Sequence, residues 1–408
     1  MPHDRLKLEL KKTLHDLDEM AACKRTENVI RAVQPASKEY GPRFFLSAEG
    51  NKPFIRMNSN SYLGLSFQQD VLAAEEQAAG QFGTGPGAVR FISGTWSPHI
   101  ELEQRLAAFH NREAAMIFSS AYATVMGTLP QLINDTTCVI SDELNHNCII
   151  NAIRLAAPAE KLIYRHNDMA HLRACLEGAK NNCRRVIIVT DGIFSMRGDH
   201  ASLKEVVDLA GEYDQHFEDN ALVVVDDSHG VGAFGKTGRG TEEQQGGAQA
   251  DLLIGTLGKA FGVNGGYVVT SSVVVDYLRE TSPFYIYSNP ITPSEAAAAM
   301  KAVDLVDSPT GRALLDQLRA MTRRFEAGIS ASGFETIPGE HPVVPLMVRD
   351  TATTSALVVH LHGNGVLATG LNYPVVPKGD EEIRFQISAD HTEADIDMVL
   401  DVLKRFDT

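Results

Sequence analysis

Cysteine is scarce and unpaired: there are 5 in 408 residues, Cys23, Cys138, Cys148, Cys175 and Cys183, and no two form a C-x-x-C. This excludes a disulfide scaffold. The thiols read as reduced packing residues, and no metal is expected. Also missing is any run of about 20 apolar residues, the length that crosses a bilayer. Even VIIVTDG and ALVVVDDS are cut short by acids. The N-terminus, MPHDRLKLELKK, mixes acids and bases through its leucines and has no apolar stretch ending at a small-residue cleavage site. Membrane insertion and export are therefore not expected, which leaves the cytoplasm. Positive charge is short as well. With 37 Lys+Arg against 52 Asp+Glu the formal net charge is −15, a field that repels nucleic-acid phosphate, so an anionic ligand must be held by a local site. Nucleic acid is not an expected partner. No internal repeat or low-complexity segment occurs.

What is present suits a large α/β protein. Hydrophobic residues make up 44%, ample for a buried core. Leu6, Leu10, Leu14 and Leu17 recur at helical spacing and predict an amphipathic N-terminal helix whose apolar stripe needs another lobe or subunit. Seven apolar runs follow: AAMIFSS, TTCVISD, KLIYRH, RRVIIVTDG, ALVVVDDSHG, DLLIGTLGK and GGYVVTS. Most are continuously apolar and separated by helix-length segments such as LKEVVDLAGEYDQ, which predicts one seven-stranded, mostly parallel sheet covered on both faces. Beyond SPTGRALLDQLRAMTRRFEAG the pattern changes to VVPLMVRD, GVLATGLNYP, EEIRFQIS and a closing helix from about Glu393, a smaller α+β domain. The expected division is 1–57, an N-terminal helix and segment; 58–300, the large domain; and 301–408, the small one.

In an open parallel sheet, ligands sit beyond the carboxyl ends of the strands. Those ends carry Ser119-Ser120, Asp142 to His146, Asp191 to Ser195, Asp226 to His229, and Thr256 to Lys259. Each is weak alone: a lysine among glycines is usually solvated, and an acid at a strand end is often a cap or turn former. Together they match one chemistry. A cofactor with a phosphate, a basic ring nitrogen and an aldehyde needs a helix N-terminus for the first, a carboxylate for the second and a lysine for the third. FSSAYATVMG, Asp226 and Lys259 supply them, and His146 could stack on the ring.

In register along the chain, NSNSYLGL, GPGAVRFISGT, ISDELNHNCII, VTDGIFSM, VVVDDSHGVG, GTLGKAFG and IRFQIS resemble the α-oxoamine synthase family of pyridoxal-phosphate enzymes, with the aspartate aminotransferase-type fold. The resemblance covers about Asn58 to Thr392. It implies a homodimer with shared active sites that condenses an amino acid with an acyl-CoA thioester. Carried over by residue, it implies that Lys259 forms the internal aldimine, Asp226 pairs with the ring nitrogen, His229 bonds the ring hydroxyl and His146 stacks on the ring. Ser195 and Thr256 fall where the family contacts cofactor oxygens, and the Ala121 and Tyr122 amides fall at the phosphate. Ser288, beside Tyr287 in YIYSNP, matches a position that reaches the phosphate from the partner subunit. Arg384 matches the arginine that holds the substrate carboxylate, and Asn60 a residue beside the amino acid.

Succinyl-CoA-using members resemble one another in having Thr and Asn around the arginine of the R-x-I-S-G-T segment. This chain has Val89 and Phe91, an apolar wall that would leave a succinyl carboxylate unpaired. VRFISGT, HNDM, TDGIFSM, DDSHGVG and YPVVPKG are instead similar to the glycine C-acetyltransferase branch (2-amino-3-oxobutyrate CoA ligase), which implies glycine plus acetyl-CoA. Departures from that branch stand at Thr124 and Val125, Asn147 and Cys148, Arg197, and Trp96, several expected near the acyl or cofactor pocket. They keep open another α-oxoamine synthase, 8-amino-7-oxononanoate synthase-like or a natural-product enzyme, acting by decarboxylative condensation on another amino acid or acyl-CoA. An inactive scaffold or regulatory homologue is the alternative from another class.

Overall fold

A computed structural model describes residues 3–19, 27–37, 39–373 and 375–406; Cys23 lies outside them. Each of the seven apolar runs is a strand of one sheet: β1 (Ala114–Phe118), β2 (Thr137–Asp142), β3 (Glu160–Tyr164), β4 (Arg185–Asp191), β5 (Ala221–Asp226), β6 (Leu252–Thr256) and β7 (Gly266–Thr270). Their order is β1-β7-β6-β5-β4-β2-β3. The neighbours from β6 through β3 are parallel, and β7 alone is reversed, pairing antiparallel with β1 and β6. The α/β class and the mostly parallel sheet are as expected.

The continuous apolar character follows from cover on both faces. Every residue of β2 and β6 is buried. The helix Ala121–Leu132 puts Val125 and Leu129 into a core with Phe118, Ile149, Ile153 and Val268. The helix Leu203–Tyr213 buries Leu203, Val206, Leu209, Ala210 and Tyr213, one stripe at helical spacing. Because the parallel strands all end on one side of the sheet, their loops and helix starts gather there.

The chain divides into two compact units. The larger, Asn60–Arg319 with Glu340–Pro342, contains the seven-stranded sheet. The smaller takes in the described residues of Met1–Ser59, Ala320–Gly339 and Val343–Thr408. It holds two four-stranded sheets. One joins Ile30–Gln34, Arg43–Leu46 and Pro53–Arg56 to Val366–Leu367, so the Pro- and Gly-punctuated N-terminal stretch is strand, paired with a segment from far along the chain. The other joins Glu335–Thr336, Val343–Met347, Glu382–Gln386 and Thr369–Leu371, antiparallel throughout. The closing helix runs Glu393–Lys404 behind a Thr392 cap. The N-terminal helix, Asp4–Glu19, forms as expected and buries none of its residues. Among the described residues, no helix is long and apolar enough to cross a membrane.

Candidate active site

Asp226 ends β5 directly beside Asp191, which ends β4; the two are register partners. They face a cavity also lined by His146, from the end of β2, and Lys259, from the loop after β6. The Ala121-Tyr122 turn after β1, Ser195 and His229 line the same cavity, with Cys148, Ile193 and Ser228. The strand-end side chains singled out from the sequence thus converge on one space.

Local bonds fix the geometry. Asp226 Oδ1 accepts from Ser228 N (3.1 Å) and Ser228 Oγ (2.5 Å), and its Oδ2 lies 3.7 Å from Cys148 Sγ. Its register partner Asp191 accepts from His146 N at 3.1 Å. Burial holds the Asp191 carboxyl well above the usual range; the charge of Asp226 adds to this, and that of Lys259 opposes it. Asn145 ties the two strand ends together, donating to Ser141 Oγ (2.9 Å) and Val189 O (2.8 Å) and accepting from Asp191 N (2.8 Å). His229 Nδ1 lies 2.7 Å from the Tyr62 hydroxyl, which is 3.2 Å from Asn60 Oδ1. His341 Nε2 sits 2.9 Å from His229 O; burial pushes this histidine down to about 3, so it is neutral and donates.

Asp227, one residue on, points elsewhere. Its carboxylate accepts from Thr241 N (2.7 Å) and Thr241 Oγ1 (2.6 Å). A Cβ on Gly192, Gly230 or Gly240 would stand about 2 Å from its oxygens, so glycine at all three leaves room for a buried acid. Burial raises Asp227 to about 7.

The phosphate-type end of the cavity is the start of the helix Ala121–Leu132. Ser120 caps it, its Oγ accepting from Ala123 N at 3.1 Å, and the earlier N–H groups of that turn stay available to an anion. Gly266, at the head of β7, has no Cβ to collide with Ala121 N, 2.4 Å from where one would sit. Glycine there lets the strand approach the turn.

Other expected residues lie outside this cavity. Thr256 Oγ1 bonds Gly265 O and Gly258 N, both at 3.2 Å, and shapes the loop carrying Lys259. Tyr287 is 79% exposed and Ser288 half-buried. Val89 and Phe91 flank Arg90, which is buried and bidentate on Glu103 (3.1 and 3.2 Å). Arg384 belongs to the smaller unit, half-buried mid-strand, with Pro345 and Thr369 as register partners.

The departures also divide. Cys148 lines the cavity. Thr124 and Val125 do not: both are fully buried, Val125 in the apolar core and Thr124 bonding Ser120 O at 2.9 Å, because the helix turns their side chains toward the sheet. Arg197 pairs with Asp199 (3.0 Å), and Trp96 donates to Pro86 O (3.1 Å). Reading the sequence singled out neither Tyr62 nor Ser228; it took Cys148 for a packing thiol and also placed it among the departures near the pocket.

The family model for aminotransferase class I and II matches residues 52–403. The chain belongs to that family. 2-Amino-3-ketobutyrate coenzyme A ligase of Escherichia coli (strain K12) is 41% identical over 86% of this chain and 87% of its own. 8-Amino-7-oxononanoate synthase of Geobacter metallireducens is 41% identical over 85% and 86%. The high-resolution structure of SPT with a PLP internal aldimine, 28% identical, has a TM-score of 0.87 over 99% of this chain and 96% of that one. Within the family this is an α-oxoamine synthase, a pyridoxal-phosphate-dependent acyltransferase. The cavity suits the cofactor by its donor set: an amine, a carboxylate, imidazoles and the N–H groups of a helix start.

Proposed function

We propose that this enzyme condenses glycine with acetyl-CoA, releasing CoA and 2-amino-3-oxobutyrate. When bound, pyridoxal phosphate supplies an electron sink for the pair left at Cα. Lys259 would hold the cofactor aldehyde and, as a free amine, take the Cα proton. Asp226, its Oδ1 engaged by Ser228, would pair with the ring nitrogen and keep it protonated. His229 would bond the ring hydroxyl and His146 would stack on the ring. The Ala121 and Tyr122 amides take the phosphate, Ser195 and Thr256 contact cofactor oxygens, Arg384 clamps the substrate carboxylate and Asn60 sits beside the amino acid.

The observation that carries the acyl choice is the Arg90–Glu103 pair. Glu103 also accepts from Arg279 at 2.8 Å, so the cation between Val89 and Phe91 is bound to a buried acid. A succinyl carboxylate arriving there would meet apolar side chains and an engaged guanidinium. The E. coli 2-amino-3-ketobutyrate coenzyme A ligase supports the acetyl reading. The Geobacter relative, equally similar, favours a second reading, decarboxylative condensation of another amino acid with a longer acyl-CoA.

A homodimer in the cytoplasm belongs to the proposal. Tyr287 and Ser288 do not line their own chain's cavity, and Phe91, Ile92 and Tyr287 leave apolar surface exposed, as expected if they complete a partner's site. A matrix of glycine, alanine and serine against acetyl-, propionyl-, longer acyl- and succinyl-CoA, scored by CoA thiol release and product mass, tests the substrates. Highest kcat/KM for glycine with acetyl-CoA is expected; a strong preference for a long chain would overturn it.

A further inference from the structure

His146 is the N-cap of the helix Asn147–Ala156, and its ring Nδ1 accepts the N–H of Cys148 at 3.3 Å. A backbone N–H can only donate, so this ring nitrogen carries its lone pair. Cys148 Sγ lies 2.9 Å from the same Nδ1 and 3.7 Å from Asp226 Oδ2. The thiol is buried, and burial with the charges of Asp226 and Asp191 pushes its pKa up, so it keeps its proton. The thiol has one proton for these two acceptors, and the nearer, Nδ1, takes it, so Nδ1 receives the backbone N–H and the S–H of one cysteine.

The remaining neighbours act the same way on balance. Burial lowers the His146 pKa, Lys259 adds to this and Asp226 opposes it. Asp191 accepts from the His146 main chain, and the Tyr122 ring meets the imidazole edge-on at 6.5 Å. The partial positive charge of the helix start further disfavours an imidazolium.

We propose that Cys148 is a positioning residue that locks His146 into the neutral Nε2–H tautomer, so that His146 offers a substrate oxygen one proton donor and brings no second cation to compete for Asp226. This deepens the proposed function and rests on its placing of His146 at the cofactor. Serine expected here would serve as a hydroxyl donor; the thiol fills the same role.

Nitrogen-15 NMR of histidine-labelled holoenzyme, with His146→Gln to assign the signal, reads both ring nitrogens. The wild type should show a bare Nδ1 and a protonated Nε2, still mostly neutral at about pH 6.5, where a free imidazole is half charged. Cys148→Ala keeps the backbone N–H but loses the thiol donor, so it should populate the other tautomer in part, raise the titration, and give kcat/KM several-fold lower at about pH 6 than at about pH 8. Cys148→Ser should restore the wild-type tautomer and pH profile. A protonated Nδ1 in the wild type or the serine variant overturns the proposal, even if the alanine variant does not fold. So does an alanine variant that matches the wild type in tautomer and pH profile, whatever its melting temperature. Failure of the functional reading shows separately in the same sample, as no borohydride-fixed cofactor on Lys259.

Discussion

The floor and the rim of the cavity are built differently. On the floor, Asp191, Asp226 and Cys148 are buried, and each is fixed by partners on neighbouring strands or by the next turn of chain. At the rim, Tyr122 is 41% exposed, and Phe91 and Tyr287, which do not line their own chain's cavity, also face outward. Parallel strands ending in register impose the floor, because a residue there cannot move without its neighbour. Loops and helix starts set the rim, with few internal bonds. A rigid floor accounts for chemistry shared by relatives with different substrates, and the rim is where an acyl group or a partner subunit would be told apart.

The floor should be the most sensitive to substitution. Asp226→Ala is expected to lower exchange of the glycine Cα proton at least about a thousandfold, roughly 4 kcal/mol, with the cofactor still bound. Isotope exchange read by NMR checks this, and a few-fold loss would make the carboxylate a structural cap. Next comes the support behind the rim. Glu103→Ala strands the buried Arg90 and should cost roughly 3 kcal/mol of stability, measurable by denaturant melts; an unchanged midpoint would show that the pair relaxes to solvent.

The rim itself should give a smaller effect, confined to substrate choice. Succinyl-CoA should have a kcat/KM roughly 10–100-fold below acetyl-CoA, and a reversal would remove Val89 and Phe91 from the acyl pocket. The smallest effect concerns pH. His166, in the loop after β3, lies 3.1 Å from both Asp142 and Asp199. Burial opposes its charge, but the two carboxylates outweigh it and hold the imidazole at about 9. A raised histidine pKa contributes stability fully below about 6.5, lost as pH rises through about 9. Wild-type melting temperature should therefore fall across that window, and His166→Gln should flatten the fall.

The large sheet was legible because its strands are continuous apolar runs stopped by acids or glycines, and several of those stops meet in one cavity. Lys259, Asp226, His229 and His146 could be grouped before their distances were known, since parallel strands bring such ends together. The N-terminal sheet was not legible. Its strands are four or five residues long, interrupted by proline and glycine, and one is completed by Val366–Leu367, a pairing no local pattern carries. The contact of Cys148 was hidden for a related reason, although its place after His146 had put it among the departures near the pocket. A cysteine after a strand end is usually filler, and its contact with Asp226, 78 positions away, follows from strand order. Thr124 and Val125 seemed close to the pocket in sequence, but helical rotation turns them into the core.

Borohydride reduction of the purified holoenzyme followed by peptide mass mapping tests the central claim, that the strand-end floor holds pyridoxal phosphate through Lys259. The account predicts a pyridoxyl group on Lys259 and on no other lysine. A label on another lysine, or no cofactor retained after reconstitution with pyridoxal phosphate, would contradict it.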